Sequence, residues 1–235
     1  MIMKSKQGKL LFYSVLFILI LLIGGQLFLP HYVSRQVKET ISQEVDDVQN
    51  LRVDVRAFPA WKFFYSRADR VNIRAEKMVI NGLTLENMES HYRNIYLGED
   101  YIAGDNTDLN LLIREEALND YIKQHYSELE NVRIFLTDEQ VFVRGSISIM
   151  ETEINLQLSG DFTIEDPETI VFRPENIQVE EVMIPRQLLE NFISPEEMGF
   201  SFNLAQLNFP LAIEEISISS GEVWLRRGKF IEELN

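Results

Sequence analysis

The chain has 235 residues, with 22 Lys and Arg against 37 Asp and Glu, a net charge of −15, 46% hydrophobic residues, 15 Phe and no Cys. Without cysteine there is no disulfide framework, zinc ribbon, redox dithiol, thiol nucleophile or lipobox. His31, His91 and His125 lack the i,i+4 spacing of a histidine metal site, and the acid excess excludes a nucleic-acid binder, which needs a basic field over much of its surface.

Residues 1–30 hold Lys4, Lys6 and Lys9 and no acid, so residues 31–235 carry −18. From Leu10 to Leu29 the chain has no charge, and Gln26 and Ser14 are its only strongly polar side chains. At a rise of 1.5 Å per residue this run is roughly 30 Å long, the thickness of a bilayer core. Lysines before it and acids after it predict a cytoplasmic N-terminus and an extracytoplasmic remainder, in a single-pass protein of the cell membrane. A cleavable signal peptide is the competing reading, with Gly24-Gly25 as small residues near the end of the run. The run is longer than a signal h-region, however, and shows no Ala-x-Ala site. The expected division is 1–30, cytoplasmic lysines and transmembrane anchor, and 31–235, a single extracytoplasmic domain.

From His31 to Val48, Val33, Val37, Ile41, Val45 and Val48 draw one apolar stripe along an amphipathic helix, which Asp46-Asp47 and Asn50 would close. After Asn50 the period changes to two. Leu51, Val53 and Val55 alternate with Arg52, Asp54 and Arg56, and Val71, Ile73 and Ala75 alternate with Asn72, Arg74 and Glu76. Val141, Val143, Ile147 and Ile149 keep odd register through Gly145, while Ile154, Leu156, Leu158, Phe162 and Ile164 keep even register through Gly160. Such runs predict long antiparallel strands with one wet face, and the two glycines predict bulges or bends. A helix is expected over Arg114 to Tyr126, with Leu118, Tyr121, Ile122 and His125 on one face. A shorter helix is expected to open at Pro185, with Leu188, Leu189, Phe192 and Ile193 apolar. Ile213, Ile216 and Ile218, the Ser220-Gly221 turn, and Val223, Trp224 and Leu225 predict a closing hairpin.

No Gly-x-Ser-x-Gly elbow, Walker loop, dinucleotide fingerprint or His-Glu-x-x-His occurs. Acidic pairs such as Asp46-Asp47, Glu115-Glu116, Glu180-Glu181 and Glu214-Glu215 are expected by chance among 37 acids, although a glycosidase-like pair could still meet in space. No catalytic residue, metal or cofactor is expected. The segment 51–74 stands apart, with six basic residues (Arg52, Arg56, Lys62, Arg67, Arg70, Arg74) against Asp54 and Asp69, whereas 75–235 carries −20. Within it Phe58, Trp61, Phe63, Phe64 and Tyr65 crowd around Pro59. Guanidinium matches phosphate and ring bodies enter an acyl boundary, so Arg56, Phe58, Trp61, Lys62, Phe63, Phe64, Arg67 and Arg70 are the lipid-contact candidates. The alternative is that the rings plug the end of the sheet core while the arginines solvate a strand face.

The stretch from Arg52 to Leu97, with its alternating strand, Phe58-Pro59-Ala60 turn, Arg67-Ala68-Asp69 lead and Asn81-Gly82-Leu83 entry to a third strand, resembles the opening of the LmeA-like family of bacterial phospholipid-binding proteins. The membrane segment, the 114–126 helix, the Ile184-Pro185-Arg186 helix and the closing hairpin follow in the same order. The resemblance implies an α+β fold, with an N-terminal transmembrane helix, then a long helix packed against a curved, mostly antiparallel β-sheet, similar to tubular lipid-binding proteins. It also implies a non-enzymatic binder of phospholipid or a related envelope lipid, serving envelope lipid or glycolipid maintenance. It transfers no site residue. A scaffold of envelope assembly that recruits proteins through sheet edges is the alternative function.

Overall fold

The computed structural model describes residues 3–98, 102–125, 131–149, 152–179, 182–185, 200–204 and 211–228. The apolar run and the amphipathic stretch after it form one continuous helix, α1 (Met3–Glu44), with Pro30 inside it. Every large apolar side chain from Leu10 to Ile23 is exposed, and α1 is long and apolar enough to cross a membrane. Beyond Pro30 the character changes. Ile41 is buried and Val33 and Val37 pack against the core, as the stripe predicts.

The helix stops earlier than expected, because sheet pairing captures its predicted last turn. Asp46 N–H donates to the Val79 carbonyl at 2.9 Å, its carboxylate accepts from Gly82 N–H at 3.0 Å, and Asp47–Gln49 become strand β1. There follow β2 (Arg52–Arg56), a 3-10 turn (Ala60–Tyr65), β3 (Arg67–Ile80), β4 (Leu83–Leu97) and β5 (Ile102–Arg114). Helix α2 (Glu115–His125) leads into β6 (Arg133–Leu136), β7 (Val141–Ile149), β8 (Thr152–Asp166), β9 (Thr169–Val179) and β10 (Val182–Pro185). Last come β11 (Ser201–Asn203), β12 (Glu215–Ser219) and β13 (Glu222–Arg227). The helix expected after Pro185, on Leu188, Leu189, Phe192 and Ile193, lies outside the described residues.

The strands make two curled antiparallel sheets, giving the expected α+β architecture. One runs β1-β3-β4-β5-β13-β12 with β2 also on β3; the other runs β10-β9-β8-β7-β6 with β11 on β9. The closing hairpin forms as predicted and adds to the first sheet through β13 and β5. Asn81 and Gly82, both at positive φ, make the tight turn between β3 and β4.

Residues directly opposite each other on β3 and β4 share a face, and the buried pairs are Ala68 with Ile95, Val71 with Tyr92, Ile73 with Ser90, Ala75 with Met88, Met78 with Leu85, and Ile80 with Leu83. The buried set therefore changes along β3 from even to odd between Ala68 and Val71, and back to even between Ala75 and Met78. A one-residue slip normally turns a strand inside out. Here β4 absorbs the two changes at Asn94 (φ 53°) and Asn87 (φ 49°), at two of the three places where its register with β5 shifts. These left-handed asparagines are bulges that curl the sheet. Of the two glycines expected to do so, Gly160 lies at a register shift between β8 and β9. Gly145 does not, since the pairing of β7 with β8 runs through it unbroken. Its missing Cβ instead admits Val132, whose side chain would lie 2.8 Å from one.

The phenylalanine content has a partial explanation in the second sheet, where Phe162, Phe172, Phe200 and Phe202 pack with centroids between 5.1 Å and 6.3 Å apart. Helix α2 braces the junction between the sheets. Asn119 bonds both the N–H and the carbonyl of Ile134, and the Glu115 carboxylate accepts from Leu136 N–H at 2.7 Å. Buried side chains from both sheets and both helices form one apolar cluster.

Candidate functional site

The basic and aromatic segment folds as a collar between β2 and β3. After the cis Phe58-Pro59 bond the chain makes a short 3-10 turn, and Ser66 ends it in the left-handed conformation. Two acceptors hold the turn from outside. Asp69 accepts from Phe58 N–H at 2.7 Å with one carboxylate oxygen and pairs with the Lys62 ammonium through the other. The Lys62 bond, followed by the Phe58 amide, holds the Asp69 carboxyl below the usual carboxylate range.

The second clamp comes from α1. Gln26 donates from Nε2 to the Ala57 carbonyl at 2.9 Å and accepts from Ala60 N–H through Oε1, also at 2.9 Å. Eight residues along the same helix, the Ser34 hydroxyl donates to the Pro30 carbonyl at 2.7 Å and accepts from Val55 N–H at 2.8 Å. One helix face thus satisfies backbone groups of both the collar and β2, groups that would be costly to bury unpaired.

The collar does not plug the sheet. Phe63 alone among its rings packs partly against the core, while Phe58, Trp61, Phe64 and Tyr65 are 76%, 53%, 76% and 73% exposed. The basic candidates divide as well. Lys62 is bound to Asp69 and Arg56 to Asp54, whereas Arg67 and Arg70 have no carboxylate at salt-bridge distance among the described residues. Arg70 also faces Arg93 directly across β3 and β4.

Two open clefts flank the collar and share Asp69. The larger, about 930 Å³, is bounded by Trp61, Tyr65, Arg67, Ile95 and Tyr96 among others. The smaller, about 440 Å³, lies between Gln26 and Pro30 of α1 and Arg56, Phe58 and Arg70. A third hollow of about 260 Å³ continues from Arg70 past Asn72 and His91 to Arg93, with Asp108 also on its wall. Planar guanidinium forks beside exposed rings can hold a phosphate and an adjoining acyl chain together.

Sequence reasoning placed the eight candidates on one short segment, and the fold keeps them at one end of β3. It missed Gln26, Asp69, Arg93 and Tyr96. Gln26 carried a signal, as one of two strongly polar side chains in the apolar run. Arg93 and Tyr96 reach the site only through strand register, which nothing local in the sequence announces. Elsewhere the acids serve structure: Glu115 supports β6, and Arg114 is shared by Glu86 and Glu222. Among the described residues no group of three or more His, Cys, Asp or Glu is placed to hold a metal ion.

Over residues 24–226, most of the chain, the sequence matches the LmeA-like phospholipid-binding family. Comparison with curated proteins and with solved structures gives no match. The family match begins within α1 two residues before Gln26, so the helix turn that clamps the collar lies inside it.

Proposed function

We propose, since the chain belongs to the LmeA-like phospholipid-binding family, that it is a membrane-anchored, extracytoplasmic phospholipid binder that serves cell-envelope lipid or glycolipid maintenance without catalysis. Residues 31–235 act in this reading as a single binding domain. α1 is the anchor, with the lysines of its first turns, Lys4, Lys6 and Lys9, in the cytoplasm. The headgroup phosphate is met by Arg67 and Arg70, with Arg56 and Lys62 at the margin, and the acyl portion lies along Phe58, Trp61, Phe63 and Phe64.

The observation that carries this reading is that Arg67 and Arg70, without carboxylate partners among the described residues, line the two clefts together with the exposed rings of Phe58, Trp61 and Tyr65, in a chain of net charge −15. Held at the bilayer, such a site meets lipid at high effective concentration and needs little intrinsic affinity. The test is lipid recovered with the full chain. Extraction in mild detergent followed by native mass spectrometry is expected to show bound phospholipid, and less of it in an Arg67→Ala/Arg70→Ala variant. A lipid-free chain that also ignores vesicles of every headgroup class contradicts the reading.

A further inference from the structure

Gln26 lies three residues before the end of the uncharged run, and it is bonded to both sides of the Phe58-Pro59 turn. Whatever depth α1 takes in a bilayer is therefore imposed on the collar. If the run from Leu10 to Leu29 spans the hydrocarbon core, Gln26 is about 4.5 Å inside its outer boundary. Phe58, Trp61, Phe64 and Tyr65 then stand at the interfacial layer, where rings with one apolar and one polar side are favoured. We propose that this collar is a second membrane contact, seated among the anionic phospholipid headgroups of the leaflet that α1 leaves, so that both flanking clefts open onto that leaflet and take lipid from it directly.

The rest of the fold agrees in direction. From Gln26 to Glu44, α1 climbs about 27 Å beside β2 and β3. It touches the collar at Ala57 and Ala60 and reaches Val79 just past its last turn. The strands therefore rise from the collar end, where Arg67 faces Tyr96, to the far end, where Ile80 faces Leu83. At the base stand Arg67 and Arg70 without carboxylate partners among the described residues, a charge that suits anionic headgroups in an otherwise acidic chain. Trp224 stands elsewhere. It faces Leu112, which faces Glu86, ten residues along β4 from Tyr96, or roughly 30 Å up the sheet.

The inference rests on the anchor reading, and the chain's two tryptophans allow the two to be tested apart. Full-length Trp224→Phe, which reports Trp61, and Trp61→Phe, which reports Trp224, are reconstituted in vesicles of phosphatidylcholine and phosphatidylglycerol. A fraction of the lipid carries a spin label near the headgroup. The expected result is strong quenching and a blue-shifted emission for Trp61, neither for Trp224, and resistance of both proteins to alkaline carbonate. Gln26→Leu is expected to reduce Trp61 quenching at least about twofold while carbonate resistance stays. Equal, weak quenching of both tryptophans in a carbonate-resistant chain overturns the seating but leaves the anchor standing, as does crosslinking of Trp61 to a covering protein. A chain removed by carbonate overturns the anchor and the seating together.

Discussion

Arg70 on β3 and Arg93 on β4 stand directly opposite each other, two like charges in one cross-strand pair beside a hollow that both help to line. Such a pair costs a few tenths to about 1 kcal/mol without a counter-ion. Asp105, opposite Arg93 on β5, and Asp108, on the wall of the hollow, offset part of that cost, and an anion such as a lipid phosphate lying against the pair offsets more.

Stability and binding should therefore move in opposite directions in Arg70→Ala. Its unfolding free energy is expected to equal or exceed that of the wild type by up to about 1 kcal/mol. Affinity for anionic vesicles should fall about tenfold, the loss of one charge-assisted hydrogen bond. Chemical denaturation and vesicle sedimentation on the same preparation measure both, and a variant weakened in stability and unchanged in binding contradicts the assignment.

Asp69 gives a prediction in pH. Its carboxyl is held below the usual range by Lys62 and the Phe58 amide, so the charged form is favoured by folding. The stabilisation is complete above the unfolded-state value of about 3.9 and fades as pH falls through the lower folded value. Asp69→Asn keeps an acceptor for Phe58 but loses the ion pair with Lys62. The variant should be less stable than wild type by at most about 1 kcal/mol at neutral pH, since both groups are partly exposed to solvent. Thermal melts of the two proteins should converge as the pH is lowered below 3.9.

How far such features can be read from sequence depends on whether they are local. The period-two runs mark β2, β3, β7 and β8 because alternation is imposed residue by residue. The α2 face and the hairpin at Ser220-Gly221 are local in the same sense. The curl of the first sheet is not, because it rests on asparagines at 87 and 94 whose left-handed conformation is selected by pairing with β5, and glycine was the more visible signal. β1 was hidden inside an apolar helical stripe, since Val45 and Val48 satisfy either reading until Val79 offers its carbonyl. The aromatic and basic cluster was legible as composition. Its clamp to α1 through Gln26 depends on a contact 31 and 34 residues away in the chain.

The glycines make a contrasted pair. A Cβ on Gly160 would lie 2.1 Å from the Arg173 carbonyl oxygen, a backbone atom that cannot swing aside. Gly160→Ala should cost about 2–4 kcal/mol, in the range of severe overpacking. At Gly221 the space is open but φ is +80°, so Gly221→Ala should cost only the left-handed penalty of about 1–2 kcal/mol. Equilibrium unfolding in denaturant ranks the two.

Gln26→Leu removes the partners of two backbone groups at the buried residues Ala57 and Ala60. The collar should loosen by about 2 kcal/mol, with an unsatisfied donor and acceptor exposed to water only by local opening. Hydrogen exchange at residues 60–65 should quicken accordingly, while protection in β8 and β9 stays unchanged.

The claim that this chain holds phospholipid at the collar is tested most directly by native mass spectrometry of the full-length protein released from membranes, wild type beside Arg67→Ala/Arg70→Ala. Phospholipid bound to the wild type and strongly depleted in the variant, with both proteins equally folded, is the predicted result. A wild type that carries no lipid, or a variant that carries as much as the wild type, contradicts it.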